Sequence, residues 1–227
     1  ALRRQREFAA DASHELRTPL TVIRASVAHL RRHEDQPVRE VGDALEDIDA
    51  EVGQLTKMVE DLLLLARSDS GAVSLDRALV DLDDVATDAA ASLRGPAEAH
   101  GAHIVVDPEP APIIGDGTRL RQLVTVLLDN AIRHSPSGGE VRLTVRSGGG
   151  IVSLAVEDRG PGIRDEDLPR LFDRFWRAAD APSGGTGLGL AIAKWIADQH
   201  DATIRASNRP DGGARFEVTF PSRATAN

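Results

Sequence analysis

Between residues 41 and 66 the apolar side chains fall at Val41, Leu45, Ile48, Val52, Leu55, Val59, Leu62 and Ala66, in alternating steps of four and three. A strict seven-residue repeat marks the seam of a left-handed coil or helical bundle. Residues 2–33 carry a companion stripe at Phe8, Ala12, Leu16, Leu20, Ile23, Val27 and Leu30. The polar, Pro-containing stretch HEDQPVRE (33–40) separates the two. Residues 1–68 therefore read as an α-helical hairpin with arms about 45 Å long, at about 1.5 Å per residue. Two helices with one apolar stripe each enclose little core. The expected closure is a homodimer through residues 1–68, which makes a four-helix bundle around a two-fold axis.

The pattern changes after RSDSGA (67–72), where 69–72 reads as a linker. Apolar runs then alternate with amphipathic segments. The expected strands are HIVVD (103–107), VRLTVR (141–146), IVSLAVED (151–158), ATIRAS (202–207) and RFEVTF (215–220). SGGG and RPDGGA supply hairpin turns between the second and third and between the fourth and fifth. Helical patterns fall near 83–99, 117–134 and 187–200. Residues 73–222 thus read as an α+β sandwich, one mixed sheet with helices on one face, ahead of a short tail at 223–227.

The net charge of −9 argues against a nucleic-acid or anionic-lipid surface, which needs a basic patch. An anionic ligand must then be captured locally, by a few Arg, Lys, backbone N–H groups or a metal. With no cysteine there is no disulfide and no thiolate metal site. The apolar runs fall short of the roughly 20 residues a bilayer span requires. The chain opens at Ala1 and its one methionine is Met58, so it reads as a fragment, with any membrane anchor N-terminal to it.

Three stretches of the second domain carry the chemistry. GGTGLGLAIAKWIADQH (184–200) runs from a Gly-rich loop into a helix. Gly185, Gly187 and Gly189 let backbone N–H groups approach a polyanion at a helix N-terminus; an ordinary flexible loop reads the same way. The nucleotide-hydrolase loop is excluded, because Leu188 and Leu190 flank Gly189 where a Lys should follow. EDRGPGI (157–163) closes an apolar strand on Asp158. That carboxylate either starts a turn or accepts from a ligand amino group such as that of adenine. LVTVLLDNAIRHSP (123–136) ends an amphipathic helix with Asn130, either a solvated polar residue or one ligand of Mg²⁺.

In order, SHELRTPL, LLDNAIRHSP, EDRGPGI, LFDRFWR and GGTGLGLAIAK resemble the sensor histidine kinases of two-component signalling, over nearly the whole chain. The resemblance implies a dimerisation and histidine-phosphotransfer hairpin followed by an ATP-binding domain. It implies that Asp158 reads adenine, with Gly160 and Gly162 shaping that pocket. Asn130 would take Mg²⁺. Arg133, His134, Gly185, Gly187, Leu188 and Gly189 would line the nucleotide. Phe172 and Phe175 would anchor a lid at about 176–186, in which Arg174 and Arg177 face phosphates. Three positions depart from the family pattern: Val126 stands where a second Asn is usual, Arg133 where Lys is common and His134 where an aromatic is common.

His14 points about 180° away from the stripe at about 100° per residue and is therefore exposed. Neutral imidazole is a competent nucleophile near physiological pH. The resemblance makes His14 the phosphoacceptor, Glu15 its orienting base, and Thr18, one turn on, a residue of phosphatase action. Arg17 reads either as a charge that favours the phosphorylated form or as a solvated surface residue. Pro19 lacks an N–H and clashes with the carbonyl of residue 15, which predicts a bend. The family also implies a response-regulator receiver domain as partner. It implies the cytoplasmic portion of a bacterial inner-membrane sensor as the source of the chain. Two other readings stay open. In ATPases of the chaperone, gyrase and mismatch-repair type a Glu one turn before the Asn activates water, and Val126 cannot. A relay module with weak ATP binding or phosphatase action alone is the other, and Val126 is its best support.

Overall fold

The computed structural model describes residues 2–33, 41–69, 73–178 and 185–221. It divides into two compact units, Ala1–Val73 and Ser74–Asn227.

The first unit is a hairpin of two long helices, α1 (Leu2–Arg32) packed along α2 (Gly42–Asp69). Pro19 is buried and the helix runs through it without a break, so the expected bend is not an interruption of α1. Two residues on, the Thr21 hydroxyl donates to the Arg17 carbonyl at 2.8 Å. The α2 side chains Ala44, Met58, Leu64 and Leu65 are buried and lie off the heptad stripe. Of the stripe itself Val41 is buried and Ile48, Leu55 and Leu62 are half-buried, whereas Leu45, Val52 and Val59 stay 43%, 47% and 45% exposed. On α1, Leu20 and Val27 are likewise open. Two polar groups are hidden in the hairpin, Ser26 and Asp61, and the loss of water pushes the Asp61 carboxyl up to about 6. The turn segment 34–40 and linker residues 70–72 lie outside the described residues, and residue 69 is still helical.

The second unit is the expected mixed sheet with helices on one face. Strands β2 (His103–Pro108), β4 (Glu140–Gly148), β5 (Ile151–Glu157), β7 (Ala214–Pro221) and β6 (Thr203–Asn208) lie side by side in the order β2-β4-β5-β7-β6. The β2–β4 pair is parallel and the other three pairs are antiparallel. Side chains alternate across the sheet as the pleat requires. Val141, Leu143 and Val145, Val152, Leu154 and Val156, and Phe216, Val218 and Phe220 are buried. They face helices α3 (Leu82–Ser92), α5 (Gly117–His134) and α6 (Gly189–Gln199). The alternate positions of the central strands are polar, with Arg215 pairing to both Glu157 and Glu217.

Three boundaries differ from the sequence pattern. The helix expected near 83–99 is two, α3 and α4 (Arg94–His100), broken at Leu93. Pro96 cannot donate back to Ser92, but it is tolerated in the first turn of a new helix. The last helix begins at Gly189 rather than 187. A separate antiparallel pair, β1 (Ala78–Asp81) with β3 (Pro112–Gly115), was not expected, since four-residue strands carry too little alternation to stand out. The Asp116 carboxylate caps α5 by accepting from the Arg119 N–H at 3.1 Å, and its other oxygen accepts from the Asp76 N–H at 3.1 Å. His200 closes this corner. Its Nε2 accepts from the Asp116 N–H at 3.0 Å while Nδ1 donates to the Ile196 carbonyl at 2.8 Å.

Candidate nucleotide and phosphoacceptor sites

Asp158 follows the last residue of β5 and is only 2% exposed. Its Oδ1 accepts from the N–H groups of Gly160 at 2.8 Å and Ala214 at 3.1 Å. Its own N–H donates to the Ala214 carbonyl at 3.0 Å. Its carbonyl accepts from Arg209 Nη1 at 2.9 Å. Among the described residues Oδ2 has no partner. With the residue otherwise enclosed, that oxygen is left for a donor from a ligand or from water.

The glycines beside it are explained by close approach. A Cβ on Gly160 would stand 2.5 Å from the His134 carbonyl oxygen and 2.9 Å from Asp158 Oδ1. Gly162 has φ +81, and a Cβ there would lie 2.8 Å from Asn208 Oδ1. Thus the end of α5, the Asp158 loop and the β6–β7 hairpin converge on one point. Sequence reasoning missed the hairpin's share. RPDGGA was read as a turn, but Gly213 (φ +94) would place a Cβ 2.0 Å from the Asp158 carbonyl oxygen. The second glycine, more than a tight turn needs, was the available signal.

A second cluster joins α5 to the start of α6. Asn130 is half-buried on α5 and its side chain makes no hydrogen bond among the described residues. Arg133 pairs with Asp129 one turn earlier, Nε at 3.1 Å and Nη2 at 3.0 Å from one carboxylate oxygen. Among the described residues the nearest atom a Gly185 Cβ would meet is Arg133 Nη1, at 3.9 Å. A Cβ on Gly189 would approach Val126 Cγ1 to 3.2 Å. Val126 therefore packs against the first residue of α6. Gly187 (φ +68) leans on the preceding segment: a Cβ would come within 2.6 Å of the Phe175 carbonyl carbon, and the Phe175 N–H donates to the Gly187 carbonyl at 2.9 Å. Phe175 itself is left-handed, with φ 59. Leu188 is buried, and its N–H donates to Thr186 Oγ1 at 3.3 Å. Phe172 and Arg174 are half-buried and Arg177 is exposed. Residues 179–184 of the expected lid lie outside the described residues.

In the hairpin unit, His14 and Thr18 are exposed on α1, Arg17 with them, and Glu15 is half-buried. Among the described residues no three His, Cys, Asp or Glu side chains cluster as a metal site, so Asn130 would need ligand and water oxygens to complete a shell.

Two family models match the chain. The His Kinase A (phospho-acceptor) domain covers residues 4–71. The Histidine kinase-, DNA gyrase B-, and HSP90-like ATPase covers residues 115–224. The signal transduction histidine-protein kinase BaeS of Escherichia coli is 37% identical over 221 residues, 96% of this chain and 47% of that protein. The probable sensor histidine kinase TcrY of Mycobacterium tuberculosis is 42% identical over 219 residues, 95% of this chain and 46% of its own. The chain thus spans about half the length of the curated relatives it matches. Among solved structures, the Acinetobacter baumannii histidine kinase AdeS has a TM-score of 0.77 at 27% identity, covering 92% of this chain and 98% of that one. The mycobacterial sensor histidine kinase MprB has a TM-score of 0.60 at 30% identity, over 64% of this chain and 99% of that one. With a hairpin that exposes His14, a sheet that buries Asp158 beside Gly160 and Gly162, and these matches, the chain belongs to the sensor histidine kinases of two-component signalling.

Proposed function

We propose that this chain is an ATP-dependent protein-histidine kinase that phosphorylates His14 and passes the phosphoryl group to an aspartate of a response-regulator receiver domain. The observation that carries the reading is Asp158: a carboxylate only 2% exposed, one oxygen fixed by two backbone donors and the other without a partner among the described residues. Adenine brings the amino group such an oxygen lacks. Gly160 and Gly162 leave the pocket wall open, and Gly185, Gly187 and Gly189 line the phosphate side, with the Leu188 backbone between them. Arg133, His134 and Arg174 complete the nucleotide contacts. A solved relative, ShkA, is described in complex with the ATP analogue AMPPNP, at 27% identity. Asn130 suits one position on Mg²⁺, which would neutralise phosphate charge when bound.

The chemistry is positioning and charge stabilisation. A neutral ring nitrogen of His14 attacks the γ-phosphorus, the bond to the β-phosphate oxygen breaks, and ADP leaves. Glu15, next to His14, takes the role of orienting base. A receiver aspartate oxygen then attacks the phosphohistidine, the P–N bond breaks, and the imidazole is released. Thr18, one helical turn from His14, serves the separate phosphatase step by orienting a water that attacks the receiver's aspartyl phosphate, so that the P–O bond to the aspartate breaks and inorganic phosphate leaves. The open Leu20, Val27, Leu45, Val52 and Val59 would be covered by a second hairpin, making a four-helix homodimer through residues 1–68. An apolar face of this size on a lone hairpin calls for a partner. We read the chain as the cytoplasmic portion of a bacterial inner-membrane sensor; no described helix is long and apolar enough to cross a membrane.

Val126 specifically favours one rival, a relay with weak ATP binding or phosphatase action alone. Incubation with γ-labelled ATP and Mg²⁺ separates the two. An acid-labile label that disappears in His14→Gln is expected, and an unlabelled parent protein that still dephosphorylates a receiver supports the rival. Steady phosphate release with no phosphoprotein would point instead to an ATPase, although Val126 cannot abstract a proton from water.

A further inference from the structure

We propose that Asn208 is a positioning residue for base recognition, acting through the loop from Asp158 to Ile163. The inference rests on the nucleotide reading above and concerns a residue outside every motif that led to it.

Both ends of that loop are tied to one rung of the β6–β7 hairpin, where Asn208 pairs with Ala214. Ala214 holds the Asp158 end, its N–H on Oδ1 at 3.1 Å and its carbonyl on the Asp158 N–H at 3.0 Å. Asn208 holds the other end. Its Oδ1 accepts from the Ile163 N–H at 2.7 Å and its Nδ2 donates to the Ile163 carbonyl at 2.7 Å. A side-chain amide here does what a neighbouring strand would do, satisfying donor and acceptor of one residue together. Only Asn fits at this reach. Asp offers two acceptors and sets an oxygen against the Ile163 carbonyl, Ser offers one hydroxyl, and Gln is a methylene too long. Gly162 lies between the anchors, and its missing Cβ leaves the 2.8 Å approach to Asn208 Oδ1 open. Gly160 meanwhile presses the loop onto the His134 carbonyl. With both ends fixed, Asp158 Oδ2 is held where a base amino group can reach it, and the loop order is in place before the ligand arrives.

The test uses the whole chain with AMPPNP as the probe. Asn208 is exposed, so its removal leaves the core intact. In Asn208→Ala we expect the Kd for AMPPNP to rise about three- to tenfold, the effect on autophosphorylation to fall more on KM than on kcat, and the Ile163 amide to exchange faster. Asn208→Asp keeps one bond and adds repulsion, so it binds no better than the Ala variant. Gly162→Ala should cost less affinity in the Asn208→Ala background than in the parent, because the 2.8 Å contact is gone. Unchanged Kd with unchanged Ile163 exchange, or strictly additive effects, overturns the proposal. Faster Ile163 exchange with unchanged Kd also overturns it, because the loop would then not serve binding. A parent that binds no AMPPNP refutes the nucleotide reading instead, and that result is visible before any variant is made.

Discussion

Gly185, Gly187 and Gly189 of the GGTGLG loop share one motif but face three different environments, so alanine at each should give a graded result. Gly187 is the severe case. Alanine at φ +68 costs about 1–2 kcal/mol for the left-handed backbone. Its methyl would lie 2.6 Å from the Phe175 carbonyl carbon, about 1 Å inside a normal carbon contact, so the two segments must part. Parting breaks the 2.9 Å bond from the Phe175 N–H to the Gly187 carbonyl, another 0.5–1.5 kcal/mol or roughly that. The sum is about 1.5–3.5 kcal/mol, which is roughly 10- to 300-fold in nucleotide affinity at 1.4 kcal/mol per decade if the loop must hold this shape to bind. Gly189→Ala presses on Val126 Cγ1 at 3.2 Å and costs less than about 1 kcal/mol, because a side-chain methyl can give way. Among the described residues Gly185→Ala meets only Arg133 Nη1, at 3.9 Å, and leaves melting within about 0.5 kcal/mol. If Gly185 serves a phosphate through close backbone approach, its alanine variant still loses affinity. Titration calorimetry with AMPPNP beside thermal melting reads both quantities. Gly187→Ala binding like the parent, or Gly185→Ala as unstable as Gly187→Ala, would refute the reasoning.

Val52→Glu places a charge on a side chain that is 47% exposed in the lone hairpin and central to the open heptad face; sedimentation should show monomers, with autophosphorylation lost and AMPPNP binding kept. Asp61 titrates near 6 when folded against 3.8 as its ordinary value, so its contribution is fully present below 3.8 and is lost as pH rises through about 6. Asp61→Asn should therefore raise helix stability at pH 7–8 by roughly 1–2 kcal/mol after allowance for screening, with little effect near pH 4, as followed by far-UV circular dichroism. His200 has the opposite sign: burial lowers its pKa below 6.5, so stability is present above 6.5 and lost as pH falls through the lower folded value. Both tryptophans, Trp176 and Trp195, lie in the nucleotide unit, so their fluorescence should show that unit weakening on acidification while the hairpin strengthens. Val126→Asn adds a polar ligand one turn before Asn130 and should tighten Mg²⁺-dependent AMPPNP binding severalfold; no change in the Mg²⁺ dependence would show that Asn130 and ligand oxygens suffice.

How much of this was legible beforehand follows from where the information lies along the chain. The hairpin was readable because four successive heptads place eight apolar side chains between Val41 and Ala66, and β4, β5 and β7 because their alternation is long. His14 was placed on the exposed side of α1 by angular position alone. The glycines at 160, 162 and 187 were seen as permissive, but the reason for each was a long-range neighbour: His134, Asn208 and Phe175 respectively. Such contacts leave no local pattern. Val126 shows the same limit from the other side. Its sequence position marked a missing polar group, and only the packing reveals that its methyl abuts the first residue of α6 at 3.2 Å from where a Gly189 Cβ would stand.

The β6–β7 hairpin carries this furthest. By sequence Asn208 and Arg209 are turn flanks, and polar residues at turns are expected on local grounds alone. In space the two reach back about fifty residues to Asp158 and Ile163, and they do so by binding backbone rather than side chain. A contact to backbone constrains conformation without constraining the identity of the residue contacted. The sequence of the loop from Asp158 to Ile163 therefore holds no trace of its anchor, except for the glycines that let it come close. Recognition chemistry was written in the loop, while the rigidity that makes the chemistry usable was written elsewhere in the chain.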